Sequence, residues 1–102
     1  MVEFLDALSW KTRQKIQAWI DLLEKEGPNL KRPYADKVTG DLCELRIRFA
    51  SDQVRILYFF FLRGKIILLH VFRKKQNAIE MKDLSIAQSR RVDVMIRHYK
   101  EI

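Results

Sequence analysis

The chain has 102 residues, 48% of them hydrophobic, which is enough for one core and too little for two. Its 20 lysines and arginines exceed its 13 aspartates and glutamates, giving a formal net charge of +7. Such an excess favours a polyanionic partner over a neutral small molecule, although a merely solvated basic surface is the alternative. Length and charge therefore predict a single domain over residues 1–102 with a basic surface.

Several classes of chemistry lack the residues they need. Cys43 is the one cysteine, so no intramolecular disulfide can form, and the two histidines, His70 and His98, have no partners at metal-ligand spacing. The three glycines stand apart as turn residues rather than in a phosphate-binding loop. No apolar run approaches the roughly 20 residues that span a bilayer, and the first residues do not resemble a secretion signal. We expect a cytoplasmic protein that needs no metal or cofactor.

The first third of the chain predicts a helical hairpin. Apolar residues at helical spacing indicate a short opening helix: Val2, Phe4, Leu5 and Leu8. Ser9 is a candidate N-cap for a longer second helix, which Gly27 and Pro28 end. The apolar stripe of this second helix consists of Ile16, Trp19, Ile20 and Leu23. The hairpin would cover one face of a sheet.

The stretch from residue 29 to residue 40 is irregular and predicts a surface loop. Its cations could extend toward the ligand of the sheet: Lys31, Arg32 and Lys37. The alternative is a solvated connector that Leu30 and Tyr34 pin to the core.

Three apolar-rich segments then predict a three-stranded antiparallel sheet, with strands over 42–49, 54–62 and 65–73. The first alternates apolar and charged residues, as a strand with one buried face does. The second is apolar on both faces except at Arg55, as expected for a central strand. Two short turns separate the strands, and Gly64 can adopt the positive φ that a tight turn requires. An α+β fold follows.

The turns suggest a register. If Ala50 opposes Gln53, then Arg48 lies opposite Arg55. If Leu62 opposes Lys65, the third strand places Phe72 opposite Arg55 and His70 opposite Leu57. One face then carries Arg46, Arg48, Arg55, His70 and Lys74, with Glu44 near the edge. The other face is a core face: Cys43, Leu45, Ile47, Phe49, Val54, Ile56, Tyr58, Phe60, Ile67, Leu69 and Val71. Two directly opposed arginines destabilise a sheet, so their pairing favours a bound anion.

The last quarter of the chain predicts a helix. Asn77 and Glu80 have the spacing of a capping box that would start it. Its predicted apolar stripe is Leu84, Ala87, Val92, Met95, Tyr99 and Ile102. The helix would cover the inner part of the second sheet face, over Leu57, Phe59, Ile66 and Leu68. The arginine end of that face would stay open as a groove.

Cations that converge on a groove suit a phosphodiester, because they can hold the backbone and stabilise charge on a pentacovalent phosphate. If the ligand is RNA, its own 2′-hydroxyl can be the nucleophile, so the protein supplies orientation, a base and an acid. The candidate catalytic residues are Arg46, Arg55, Lys74 and His70. His70 is a conceivable proton donor or acceptor, and the alternative is a hydrogen-bonded structural histidine. The candidate phosphate-binding residues are Arg48, Arg73, Lys75, Lys31, Arg32 and Lys37.

Three motifs in order carry a family resemblance: Gly-Asp-Leu-Cys-Glu-Leu-Arg at 40–46, Val-Arg-Ile-Leu-Tyr-Phe-Phe at 54–60 and Leu-Leu-His-Val-Phe-Arg-Lys-Lys at 68–75. With these motifs the chain resembles the phage-derived, HigB-like branch of the RelE/ParE toxin superfamily over nearly its whole length. The resemblance implies a RelE-like fold and the toxin of a type II toxin–antitoxin system, typically a ribosome-dependent endoribonuclease that cuts mRNA. It also implies a helix-turn-helix antitoxin as partner. The basic positions of RelE-type toxins correspond to Arg46, Arg48, Arg55, and Lys74 or Lys75.

Members of that branch begin with an additional strand, whereas this sequence begins at the helix with Phe4, Leu5 and Asp6. Such a start would leave a sheet edge open for a partner or for a second copy of the chain. Two other functions remain open. One is a catalytically degenerate toxin-fold module that binds antitoxin or nucleic acid, and the other is gyrase inhibition as in the ParE branch.

Overall fold

The computed structural model of the chain describes residues 9–49, 52–74 and 78–101. A helix opens this part of the chain, four strands follow, and a second helix closes it. The elements are α1 (Trp10–Glu26), β1 (Ala35–Thr39), β2 (Leu42–Phe49), β3 (Asp52–Phe61), β4 (Lys65–Arg73) and α2 (Met81–Glu101). The strands form one antiparallel sheet in the order β1-β2-β3-β4. The predicted α+β class is confirmed, while the short opening helix lies on residues 1–8, outside the described residues.

Helix α1 begins and ends where its caps predict. The Ser9 side chain accepts a hydrogen bond from the Thr12 backbone N–H, and Gly27 ends the helix at φ 55° with its N–H bonded to the Leu23 carbonyl. Ile16 and Leu23 are buried against the sheet. Burial of each such side chain contributes about 1.5–3 kcal/mol, so packing rather than helix propensity fixes α1 on this face.

The predicted loop contains a strand, so the sheet has four strands rather than three. The Lys31 carbonyl accepts hydrogen bonds from the N–H groups of Tyr34 and Ala35, and this turn leads into β1. Ala35 is buried and Asp36 lies directly opposite Glu44 of β2. With two apolar side chains among its five residues, β1 is too short to show a strand pattern, and its pairing with β2 defines it.

The β2–β3 register differs from the predicted one by two residues. Arg46 lies opposite Arg55, and Arg48 lies opposite Gln53, so the predicted pairing of Arg48 with Arg55 is wrong. The reason lies at the turn, where Phe49 pairs with Asp52. Because the shift is an even number of residues, every side chain keeps its predicted face.

The β3–β4 hairpin contains a bulge that the sequence did not predict. Next to the turn, Lys65 pairs with Phe61 rather than with Leu62, because Leu62–Gly64 form a short 3₁₀ turn with Arg63 and Gly64 at positive φ. The register then shifts at Leu57 and Tyr58. Beyond that bulge the predicted pairs are found, with His70 opposite Leu57 and Phe72 opposite Arg55.

The bulge changes which β4 side chains face each helix. Ile66 and Leu68 pack with the α1-side core, whereas Ile67 and Leu69 pack with the α2-side core. The sequence analysis assigned these four residues the other way round. A single extra residue in one strand reverses the alternation on one side of the bulge, which explains the error.

Helix α2 covers the other face of the sheet with a stripe shifted from the predicted one. It begins at Met81, after the predicted start, and the proposed cap Asn77 lies outside the described residues. Ala87 is buried, but Val92 and Tyr99 are 52% and 68% exposed. Arg91 instead faces the sheet, and its guanidinium lies over the Phe59 ring. Leu84, Val94 and Met95 pack beside Ala87. Polar residues such as Arg91 occupy part of the sheet-facing side of α2, so the apolar stripe does not lie where the sequence predicted it.

In the described ranges neither helix is long and apolar enough to cross a membrane.

Candidate functional site

Charged side chains cluster on the α2 side of the sheet. We call this cluster the arginine face and define it as Asp36, Glu44, Arg46, Arg48 and Arg55. Side chains directly opposed in an antiparallel sheet share a face, and the pairs Asp36–Glu44 and Arg46–Arg55 join three strands across it. The sequence prediction that the three arginines share a face agrees with this register.

Opposite charges alternate across the arginine face. The Asp36 carboxylate accepts hydrogen bonds at one oxygen, Oδ2, from Arg32 Nε at 2.8 Å and from an Arg46 Nη at 3.2 Å. Arg46 Nε donates to Glu44 Oε1 at 2.6 Å, and Arg55 Nε lies 3.9 Å from Glu44 Oε2. Two carboxylates therefore separate three guanidinium groups that would otherwise repel each other. The hydrogen bond from Arg32 holds the pKa of Asp36 below its ordinary value.

Arg55 is the most buried cation of the face. Its side chain is 9% exposed, and its Nη groups donate long hydrogen bonds to the Val54 carbonyl at 3.3 Å and to Gln53 Oε1 at 3.4 Å. Its Nε finds no hydrogen-bond acceptor among the described residues. Burial lowers the pKa of Arg55, and the Glu44 carboxylate opposes that shift. Arg55 therefore has little direct access to solvent. It can stabilise the negative charge of Glu44, and it can influence a ligand through its positive electrostatic field.

Glu44 joins the site as a residue that the sequence analysis left at the edge. Its side chain is 5% exposed, and its Oε2 has no hydrogen-bond donor among the described residues. A carboxylate oxygen with a free lone pair can accept a proton or a hydroxyl hydrogen bond, but Oε2 is buried, so a ligand reaches it only after a neighbouring side chain has moved. The sequence did indicate that Glu44 belongs to the site, because Glu44, Arg46 and Arg48 alternate with apolar residues and therefore share one face of the strand. Asp36 could not be found in that way, because β1 had not been recognised.

Arg46 and Arg48 are the arginines within reach of a ligand. The Arg46 side chain is 31% exposed and Arg48 is exposed. Next to them, the Lys74 N–H donates to the Gln53 carbonyl at 2.8 Å, which continues the ladder past β4 and brings Lys74 beside the residue opposite Arg48. The exposed Arg48 and the partly exposed Lys74 therefore lie at the same end of the sheet.

His70 lies on the same side of the sheet, opposite Leu57, but it has a partner in α2. Its Nε2 is 2.8 Å from Asp83 Oδ1, and its ring stacks on Phe72 with centroids 5.3 Å apart. Both members of the pair are largely buried. This contact fastens the start of α2 to β4, which is the structural alternative that the sequence left open for His70.

The remaining predicted site residues are divided. Arg32 belongs with the arginine face through its ion pair with Asp36. Lys37 lies opposite Cys43, and Arg73 lies opposite Val54, a residue of the α1-side core. Both therefore belong to the reverse side of the sheet.

Two more predicted cations stand apart from the face. Lys31 is exposed in the turn before β1, and Lys75 lies outside the described residues. In the part of the chain that the structure describes, no three His, Cys, Asp or Glu side chains are grouped to hold a metal ion. What the face offers a ligand is guanidinium and ammonium donors beside one buried carboxylate. These groups suit a phosphate ester with a hydroxyl nearby.

Comparison with known proteins gives one family. The sequence model of a family described as phage-derived protein Gp49-like (DUF891) matches residues 3–92. The matched range contains α1, all four described strands and the first half of α2. A search of curated proteins finds no significant match.

Proposed function

Because the chain belongs to the phage-derived Gp49-like family, we propose that it is the toxin of a type II toxin–antitoxin pair and that it cleaves mRNA on the ribosome. Members of this family are known as toxins of toxin–antitoxin systems. The observation that carries the proposal is the arginine face, where the partly exposed Arg46 is bonded to the buried carboxylate of Glu44 and the exposed Arg48 lies two residues further along the same strand. We place the chain in the HigB-like branch of the RelE/ParE superfamily, with a helix-turn-helix antitoxin as partner and the cytoplasm as its site of action.

In the proposed reaction, side chains of the protein and the 2′-hydroxyl of the RNA supply the reacting groups. Arg46 and Arg48 hold the scissile phosphate, and the 2′-hydroxyl of the preceding ribose attacks the phosphorus. The phosphate draws Arg46 away from Glu44, which uncovers the buried carboxylate, and the proton of the 2′-hydroxyl passes to it. The O2′–P bond forms as the P–O5′ bond breaks, which leaves a 2′,3′-cyclic phosphate, and the departing 5′-oxygen takes a proton from the Lys74 ammonium group. Arg55 stabilises the negative charge of Glu44 and that of the pentacovalent phosphate through its field.

A second candidate function is a non-catalytic module that binds RNA or antitoxin without cutting. Two contacts favour it: Glu44 is already bonded to Arg46, and His70 is already bonded to Asp83. Primer extension on mRNA from induced cells distinguishes the candidates, because cleavage alone leaves new 5′ ends within codons. Arrested growth without such ends would favour the binding module.

The proposal is tested by removing one exposed arginine from each side of the sheet. Arg48→Ala deletes a charge-assisted phosphate contact, so we expect cleavage to fall about 10- to 100-fold. Arg73→Ala removes an exposed arginine from the reverse side and should leave cleavage unchanged. Toxicity on induction and the yield of new mRNA 5′ ends are the measurements, with thermal unfolding to verify that both variants fold. Equal activity of the two folded variants would contradict the proposed site.

A further inference from the structure

The side of the sheet opposite the arginine face has a groove of about 760 Å³. Its floor consists of Cys43, Tyr58 and Phe60, which face α1 rather than α2. Lys31 and Lys37 stand on its rim. We call it the reverse groove and define it by these five residues.

The reverse groove exists because α1 covers part of its side of the sheet and then ends. Its buried contacts come from Ile16 and Leu23, and after Gly27 the chain turns toward β1. Cys43 and Phe60 beyond that point are only partly buried. Apolar side chains that remain partly exposed around a concave surface favour a docked partner.

The rim of the reverse groove has unbalanced positive charge. The other charged residues beside it are paired, Arg32 with Asp36 and Asp41 with Arg91. Lys31 and Lys37 are both exposed, and the described residues give neither an ion-pair partner. Two free ammonium groups above an apolar floor complement a segment that has apolar side chains on one side and carboxylates on the other.

We propose that the reverse groove docks an acidic amphipathic segment of a partner protein. Its apolar side chains would lie on Phe60 and Cys43, above the buried Tyr58, and its carboxylates would pair with Lys31 and Lys37. The net charge of +7 would also attract an acidic partner from a distance. The inference does not rest on the proposed RNA cleavage. The groove reaches Arg32 and Asp36 at the edge strand, where it adjoins the arginine face.

Cys43 gives a direct measurement, because it is the one cysteine of the chain and lies on the groove floor. The probes are two synthetic amphipathic peptides with the same leucine pattern, one with glutamate and one with lysine at the polar positions. At saturation the glutamate peptide should slow maleimide labelling of Cys43 in the full chain about tenfold or more, since bound peptide blocks the thiol. The lysine peptide should leave the rate unchanged. All rates are compared at one pH, because burial raises the pKa of Cys43.

Matched charge reversals separate docking from general attraction. Lys31→Glu with Lys37→Glu should weaken the glutamate peptide about tenfold, since two ion pairs become repulsive contacts. Lys11→Glu with Lys25→Glu lowers the net charge equally on exposed positions of α1 and should change the affinity much less. Equal weakening by the two double variants, or equal protection by both peptides, would overturn the proposal. So would a folded, peptide-free chain whose Cys43 reacts more than about a thousandfold slower than in the unfolded chain, because the groove would then be closed by the chain itself.

Discussion

Glu44 and Asp36 turn a row of like charges into an alternating one. Directly opposed arginines destabilise a sheet, and the pair Arg46–Arg55 is tolerated because Glu44 lies against both side chains. An incoming phosphate therefore competes with carboxylates that already occupy part of the guanidinium surface. Arg48 differs from the others in that it is exposed, and so it is the residue that a ligand can engage at least cost.

Tyr58 should make the fold sensitive to alkali. Burial first, and then its neighbour Cys43, raises the pKa of Tyr58 far above its ordinary value. A group whose pKa is raised by folding leaves stability intact below its unfolded pKa, near 10, and removes it as the pH rises toward the folded pKa. The free energy of unfolding should therefore fall by about 1.4 kcal/mol per pH unit from this group above roughly pH 10. Urea denaturation of the wild type and of Tyr58→Phe, carried out just below roughly pH 10 and again above it, measures this decrease. The variant should lose less of its free energy of unfolding than the wild type. Tyr99→Phe, at an exposed position, should decline as the wild type does.

At the scale of elements, the contacts of α2 show what a sequence can and cannot predict. Strands β2 and β4 and the caps of α1 could be predicted because they depend on local alternation and on Ser9 and Gly27. The bulge could not, because β4 is apolar on both faces around it and no alternation marks the shift. Nor could the buried stripe of α2, since Arg91 contributes to it by pairing with Asp41 across 50 residues. The arginine face was predicted despite the wrong register, because an even shift leaves side chains on the same side.

A side chain of α2 donates a hydrogen bond to the backbone of the bulge in β4. An Nη of Arg90 donates to the Leu69 carbonyl at 2.8 Å, where the ladder is interrupted. Arg90→Met should leave that carbonyl unpaired and lower the free energy of unfolding by about 1–2 kcal/mol, measured by urea denaturation. Arg97→Met is the matched control, because it breaks only an exposed ion pair with Asp93 and should cost at most about 0.5 kcal/mol. Equal losses in the two variants would show that the Arg90 contact does not hold the bulge.

At the scale of the whole molecule, the sheet separates two surfaces with different chemistry. The arginine face lies on the side that α2 covers, and the reverse groove lies on the side that α1 covers. The net charge of +7 is spread over both, so its total says little about which surface binds nucleic acid. Position, and not sum, decides how many phosphates the protein contacts.

Salt dependence of RNA binding tests this distinction. Each cation that contacts a phosphate of a single strand contributes about 0.7 to the slope of log affinity against log salt. Arg48→Ala should therefore reduce the slope by about 0.7 while changing the net charge by one. Lys11→Glu with Lys25→Glu changes the net charge from +7 to +3, since each reversal removes two charges, and should leave the slope nearly unchanged. A slope that followed net charge across these variants would contradict a localised site.

The bulge between Leu57 and Tyr58 divides the β3–β4 hairpin into two ladders. Because the bonds are interrupted there, a thermal opening that starts at either end should stop at the bulge, and we expect the two halves to exchange their amide protons as separate groups. The half that contains Arg55 can loosen while the half next to the turn stays closed. We therefore expect the nearly buried Arg55 guanidinium to reach a ligand without global unfolding, and native-state amide exchange on each side of the bulge measures whether the two halves open separately.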